Sequence, residues 1–306
     1  MNRSTRFGGI LGLCLCATSA HAISVYHVGN SLTWDSQPES IDSLATSQGY
    51  DHNFGHHIRC NSSLGQIVAD PITTCVGPTS FGKYDSALSG HEWDAVTLQP
   101  FAAGGATLGS EADAALGLIA DARSNSANAD TRFYIYSAWG LRYQVFSHWN
   151  SPVVDDDDTA FGYGLGHSQL VYERVAASTD AEVFVIPVGE VMYELALAIT
   201  AGDLPGYTSH TDLFRDHIHA SYGLGRYAAS VTTFATLYGD DLDGVYSEAL
   251  GASTSAIVNE IVLDTLYADM ARHGVPEPTS AAIILGSCSL LALRRNKQHH
   301  APPCQT

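Results

Sequence analysis

Basic side chains are scarce in this chain: 14 Lys and Arg stand against 32 Asp and Glu. Such a balance suits no nucleic acid or anionic lipid surface, since an acidic domain repels both. There is no internal repeat and no long linker. No apolar run reaches the roughly 20 residues that a membrane-spanning helix needs. Cysteine is rare in the body of the chain: of six, Cys14, Cys16, Cys288 and Cys304 lie near the ends. Cys60 and Cys75 remain, and their spacing suits no metal site. The run Asp155–Asp158 lacks the alternating ligand spacing of a calcium loop and reads as a solvated acidic loop. No metal and no cofactor are expected.

The two ends have their own composition. Arg3 and Arg6 precede an apolar stretch over 7–20, and Ala20-His21-Ala22 fits a small-residue cleavage site. Residues 1–22 read as a secretory signal peptide. At the other end Pro276-Glu277-Pro278 precedes an apolar run over 279–293 and the basic cluster Arg294-Arg295-Asn296-Lys297. Residues 275–298 resemble the bacterial PEP-CTERM sorting signal, with 299–306 as a tail extension. That resemblance implies export, transient membrane contact through the C-terminal helix, an exosortase-type processing enzyme as partner, and residence at the cell surface or in the extracellular matrix of a bacterium. Without the charges of both ends, residues 23–274 keep nine basic against 31 acidic side chains, a net of −22. An exported domain favours a Cys60–Cys75 disulfide, stabilising by about 3 kcal/mol if unstrained.

Residues 23–274 are long enough for one domain with a sizeable core. An apolar run over 22–28 reads as a buried strand and stops at Gly29-Asn30-Ser31-Leu32, a tight-turn composition. Helical spacing follows over 37–48. Further strands are expected over 94–98, 132–137 and 182–187, with another over 53–58. Helices are expected over 111–123, 163–178, 191–200, 221–238 and 253–273. Strands alternating with helices imply right-handed crossovers and a parallel sheet. Two segments interrupt the alternation, 60–90 and 140–161, and read as irregular insertions. The second carries Tyr143, Phe146 and Trp149, aromatics that could stack on a sugar ring.

Ser31 thus sits just past the carboxyl end of the first strand, where open α/β sheets place their ligands. A serine is a weak nucleophile until a base, itself oriented by a third group, activates it. The stretch Asp216-His217-Ile218-His219 supplies both partners just ahead of a helix. The i, i+3 spacing lets Asp216 and His219 leave one loop on the same side, with Asp216 on one imidazole nitrogen and Ser31 facing the other. His217 competes for the base role.

The two stretches together resemble the SGNH (GDSL-like) hydrolase family. Gly29-Asn30-Ser31-Leu32 is similar to its first block, with the nucleophilic serine, and Asp216-His217-Ile218-His219 to its Asp-x-x-His block. The resemblance spans roughly 24–238. It implies a three-layer α/β/α sandwich with a mostly parallel, flavodoxin-like sheet, and ester hydrolysis without a metal by Ser31, His219 and Asp216. Two middle blocks depart from the pattern. The second lacks its glycine, Cys60-Asn61-Ser62-Ser63 being the nearest match, and the third carries Gln99 where asparagine is usual. Ser31 N–H and Gln99 are the first candidates for oxyanion donors, with a backbone N–H near Asn61 and Ser62 as a third. The function implied is an exported serine esterase acting on an ester substrate, with acetylated polysaccharide as the candidate and Trp149 and Tyr143 as candidate substrate contacts. A lipase or thioesterase, and a non-catalytic surface protein on a degenerate hydrolase fold, are the alternatives.

Overall fold

The computed structural model describes residues 22–239 and 242–273. The expected signal peptide, up to residue 21, and the expected sorting signal lie outside the described residues. Among the described residues five strands form one sheet: β1 (Ala22–Gly29), β2 (Asp51–Ile58), β3 (Ala95–Leu98), β4 (Arg132–Tyr136) and β5 (Val183–Ile186). They lie in the order β2-β1-β3-β4-β5 and every neighbouring pair is parallel. The strands are short, and β3 is buried at every position, as expected of a parallel sheet covered on both faces.

The helices among the described residues are α1 (Ser31–Asp35), α2 (Pro38–Ser47), α3 (Leu64–Ala69), α4 (Tyr84–Gly90), α5 (Leu108–Arg123), α6 (Val145–Trp149), α7 (Leu165–Ser178), α8 (Val188–Ala201), α9 (Leu224–Tyr238) and α10 (Ala252–Arg272). They divide between two cores, one on each face of the sheet. Val25 packs with Ile41 of α2 and with α8, α9 and α10. Its neighbours Tyr26 and Val28, pointing the other way, pack with α3, α4, α5 and α7. This alternation follows from the two-residue period of a strand. The result is a three-layer α/β/α sandwich with a flavodoxin-like strand order. The chain leaves β1 for β2 on one side, and β3 pairs on the other side of β1. A crevice therefore opens at the carboxyl ends of β1 and β3.

The segments expected to be irregular contain short helices: α3 and α4 within 60–90, and α6 within 140–161. Each is seven residues or fewer, too short to show a helical period in sequence. Local chemistry forms α3 instead: Ser63 and Gln66 close a reciprocal capping box. Burial of Leu64 and Ile67 anchors it. Cys60 and Cys75 are joined by a disulfide with a Cα–Cα separation of 5.7 Å, which closes the loop that holds α3.

The strands nearest this loop bury four imidazoles. His27 Nδ1 pairs with Thr97 Oγ1 at 2.9 Å, His52 Nδ1 with the Tyr238 hydroxyl at 2.7 Å, and His56 Nε2 with the Gly77 carbonyl at 2.9 Å. The Tyr84 N–H donates to His57 Nδ1 at 3.5 Å. The other ring nitrogens of His27, His52 and His56 are buried without a partner among the described residues. Burial lowers all four pKa values, His27 to about 3 with His52 and His56 adding to the effect, and His57 to about 4. Asp42 and Asp51 oppose the shift at His52, and Glu39 opposes it at His56.

The folded state therefore keeps these rings neutral while the unfolded chain takes protons near pH 6.5. Stability is complete above that value and falls as pH drops below it, down to the folded pKa values, because the unfolded state then binds more protons. The melting temperature should be level from pH 8 to 7 and decline from pH 6.5 to 5, above the range in which most carboxylates titrate. Thermal melts followed by circular dichroism test this; a flat profile down to pH 5 would contradict it.

Candidate active site

The turn after β1 is built around Gly29. A Cβ there would fall 2.1 Å from Thr33 Oγ1 and 2.8 Å from Gln99 Oε1, so only glycine allows the approach. Asn30 caps α1: its Oδ1 accepts the Leu32 N–H at 2.9 Å, while its Nδ2 donates to the Ser62 carbonyl at 3.1 Å. Just past β3, Gln99 Oε1 accepts the Asn30 N–H at 3.0 Å, the Thr33 N–H at 3.1 Å and the Thr33 hydroxyl at 2.7 Å. Ser31 is the first residue of α1. No acceptor among the described residues meets its N–H.

The second half of the site is the loop before α9. A bridge between Phe214 and Ala220 pinches its ends together. Asp216 Oδ1 accepts the N–H groups of Ile218 at 2.9 Å and His219 at 2.8 Å, and Oδ2 lies 2.7 Å from His219 Nδ1. His219 Nε2 lies 2.9 Å from Ser31 Oγ. Burial tends to raise the Asp216 pKa, but the two N–H groups and the His219 ring outweigh it and hold the carboxyl well below the usual carboxylate range. An ionised Asp216 can only accept, so it fixes the proton of His219 on Nδ1 and leaves Nε2 free to accept from the Ser31 hydroxyl. His217 does not enter this chain: its side chain is 76% exposed and approaches Asp216 no closer than 3.9 Å. The loop is held from the β4 side as well, by Trp139 Nε1 donating to the Ile218 carbonyl at 2.6 Å and the Arg142 N–H donating to the His217 carbonyl at 2.9 Å.

Two buried carboxylates that sequence reasoning missed set these parts in place. Asp35, the last residue of α1, is fully buried. Its Oδ1 accepts from Arg215 Nη1 at 2.8 Å and from Arg226 Nε at 3.1 Å, and its Oδ2 from the Ala220 N–H at 2.9 Å. Arg215 Nη1 also donates to the Ala220 carbonyl. The helix that starts at Ser31 is thereby tied to both flanks of the His219 loop. Glu111 of α5, also fully buried, accepts the N–H groups of Leu64, Gly65 and Phe101 at 2.9–3.1 Å. Burial pushes its pKa up, and these N–H groups pull it back. It holds the start of α3 and the chain just past Gln99. The usable signals were an acid inside the Ala- and Leu-rich α5 and an arginine directly before Asp216.

Two expected contacts are corrected. Trp149 lies on α6 and is 6% exposed, stacked on Tyr193 at 5.7 Å between ring centroids. Its i, i+4 partner Val145 is buried with it, so it is a core residue and no platform for a sugar. Gln99 is fully buried and its carbonyl end braces the turn. Its Nε2 has no acceptor among the described residues and no surface, so the amide does not face a substrate here. Tyr143 is 74% exposed beside the loop of His217. Asn61 adopts φ 53°, a left-handed conformation that asparagine tolerates, and is exposed. Ser62 is buried and its carbonyl anchors Asn30. The N–H groups of Asn61 and Ser62 have no acceptor among the described residues.

No protein-family model and no curated protein matches the chain. Among solved structures, a DUF4886 family protein from Bacteroides uniformis is similar at a TM-score of 0.56 and 17% identity, covering 85% of this chain and 99% of that one. The psychrotrophic esterase EstA from Pseudoalteromonas sp. follows at a TM-score of 0.41 and 10% identity, covering 71% of this chain and 97% of the esterase. A carbohydrate esterase family 3 protein from Talaromyces cellulolyticus gives 0.40 and 13%, with the same shares. The first shares the fold; the other two are too distant to carry an argument about chemistry.

The Asp35 clamp makes a prediction about the site as well as the fold. Removing one partner of a buried ion pair typically costs about 3–5 kcal/mol. Asp35→Asn should lower the melting temperature and, at a temperature where the variant is still folded, slow labelling of Ser31 by a fluorophosphonate at least tenfold. Labelling at the native rate in a folded, destabilised variant would show that the clamp supports the fold alone.

Proposed function

We propose that the chain is a serine ester hydrolase of the SGNH type, exported and held at the cell surface, that removes acyl groups from carbohydrate. One observation carries the catalytic part: the continuous line of hydrogen bonds from Asp216 through His219 to Ser31 at the carboxyl edge of the sheet. In this reading Ser31 Oγ attacks the ester carbonyl while its proton passes to His219 Nε2. The tetrahedral intermediate collapses as the bond to the alcohol oxygen breaks, and that oxygen takes the proton from His219. Water then attacks the acyl-Ser31 ester, His219 takes the water proton, and the acid leaves as Ser31 regains its hydrogen. Asp216 orients His219 and stabilises its cationic form.

The developing oxyanion is met by the Ser31 N–H and by an N–H of Asn61 or Ser62, groups with no acceptor among the described residues. A donor in such a hole is worth about 3–4 kcal/mol of transition-state stabilisation. The sealed amide of Gln99 is the observation that favours the second reading, a non-catalytic surface protein on this fold. Export and surface retention rest on the composition of residues 1–22 and 275–298, which also name an exosortase-type enzyme as the processing partner. Carbohydrate as the acyl carrier rests on resemblance and the export route.

A fluorophosphonate probe should label Ser31 and no other serine, and Ser31→Ala should lower turnover of a short acyl chromogenic ester by several orders of magnitude with the melting temperature kept. Absence of turnover and of labelling in the unaltered protein would select the non-catalytic reading; turnover surviving in Ser31→Ala would remove the assignment of the nucleophile.

A further inference from the structure

Residues 23–274 contain nine basic side chains. Six of them, Arg59, Arg123, Arg174, Arg215, Arg226 and Arg272, lie within ion-pair distance of an Asp or Glu. Lys83 Nζ donates to the Ile72 carbonyl. Arg132 opens β4 at the amino-terminal end of the sheet, away from Ser31. Arg142 is different in place and surroundings. It follows β4 on the carboxyl side, and its own N–H is bonded to the carbonyl of His217, between Asp216 and His219.

The Arg142 side chain is half-buried and has no carboxylate partner among the described residues. Its Nε is buried with no acceptor among the described residues, whereas Nη1 and Nη2 reach the surface and make no hydrogen bond among those residues. A guanidinium partly removed from water without a counter-charge is unfavourable, and its two Nη groups offer parallel donors that match a carboxylate end-on. Its carbon sits 5.3 Å from the ring centroid of Tyr143, and that ring is 74% exposed. A flat exposed ring beside an unpaired fork is a pair of contacts suited to one ligand unit: a pyranose to stack and a carboxylate to chelate.

We propose that Arg142 and Tyr143 form a subsite for an anionic sugar residue, so that the polymer whose acyl groups are removed is an acidic polysaccharide. This rests on the ester-hydrolase reading for the reaction, and on the loop geometry alone for the binding. The net charge of −22 does not exclude it. Charges further off than about 8 Å are screened at physiological salt. Beside the His219 loop Arg215 and Arg226 are paired with Asp35, whereas Arg142 has no carboxylate partner among the described residues. A neutral sugar would need the ring and leave the guanidinium unpaired.

The test compares acetylated polygalacturonate with acetylated xylan, and binding of oligogalacturonate with binding of xylo-oligosaccharide by calorimetry. The expected result is a kcat/KM ratio in favour of the acidic polymer that falls at least tenfold in Arg142→Gln, falls less in Arg142→Lys, and is unchanged in Arg132→Gln. The same ranking is expected for the dissociation constant of oligogalacturonate, and it should weaken with added salt. Ser31-dependent hydrolysis with no preference for the acidic polymer, or a preference kept in Arg142→Gln, overturns the subsite and leaves the hydrolase reading standing. If no ester is hydrolysed, binding decides: oligogalacturonate bound tenfold more weakly by Arg142→Gln upholds the subsite, and no binding overturns it.

Discussion

The arrangement depends on one buried negative charge. Asp35 stands four residues after Ser31 and holds two arginines and a backbone N–H from the far end of the chain. A carboxylate without exposure is tolerable only with such compensation. The pairing therefore has two consequences at once. It closes the fold between α1 and α9, and it sets where the His219 loop stands relative to the serine. The 2.9 Å between His219 Nε2 and Ser31 Oγ is a distance between two short segments, neither of which could hold it alone. The loop has seven residues from Phe214 to Ala220 and α1 has five.

A second buried acid does the corresponding work on the other side. Glu111 holds the start of α3 and the backbone after β3, and so keeps the loop of Asn61 and Ser62 against the Asn30 cap. Gln99 completes the set from below, its carbonyl oxygen receiving three donors from the nucleophile turn. Three polar side chains are thus sacrificed to geometry around a single serine. Polar groups this deep are placed where their hydrogen bonds are complete, and the Nε2 of Gln99, with no acceptor among the described residues, is an exception.

Much of this was legible in the residues. The β1 run, its abrupt stop at Gly29 and the Asp216–His219 spacing are local patterns, and the strands and longer helices follow from period and composition. What escaped was set by distance or by short length. Asp35 has no local signature, because its partners Arg215 and Arg226 lie about 180 or more positions away in the chain. Glu111 reads as an ordinary helix-start acid until α3 is folded against it. The helices α1, α3, α4 and α6 are shorter than any window in which a period can be seen. Trp149 follows from the same limit: a loop position implies an available ring, whereas in α6 the ring is covered by Tyr193. The sequence pattern points to the amide donor of Gln99, whereas the bare backbone of Gly29 brings three donors to its acceptor.

The central claim is that His219 activates Ser31. The most direct measurement is the rate of a short acyl ester with His219→Ala beside His217→Ala, both folded. The account predicts that His219→Ala loses turnover and fluorophosphonate labelling of Ser31 together, while His217→Ala, whose ring is largely in solvent, retains both. Near-normal rates in His219→Ala, or the reverse ranking of the two histidines, would contradict it.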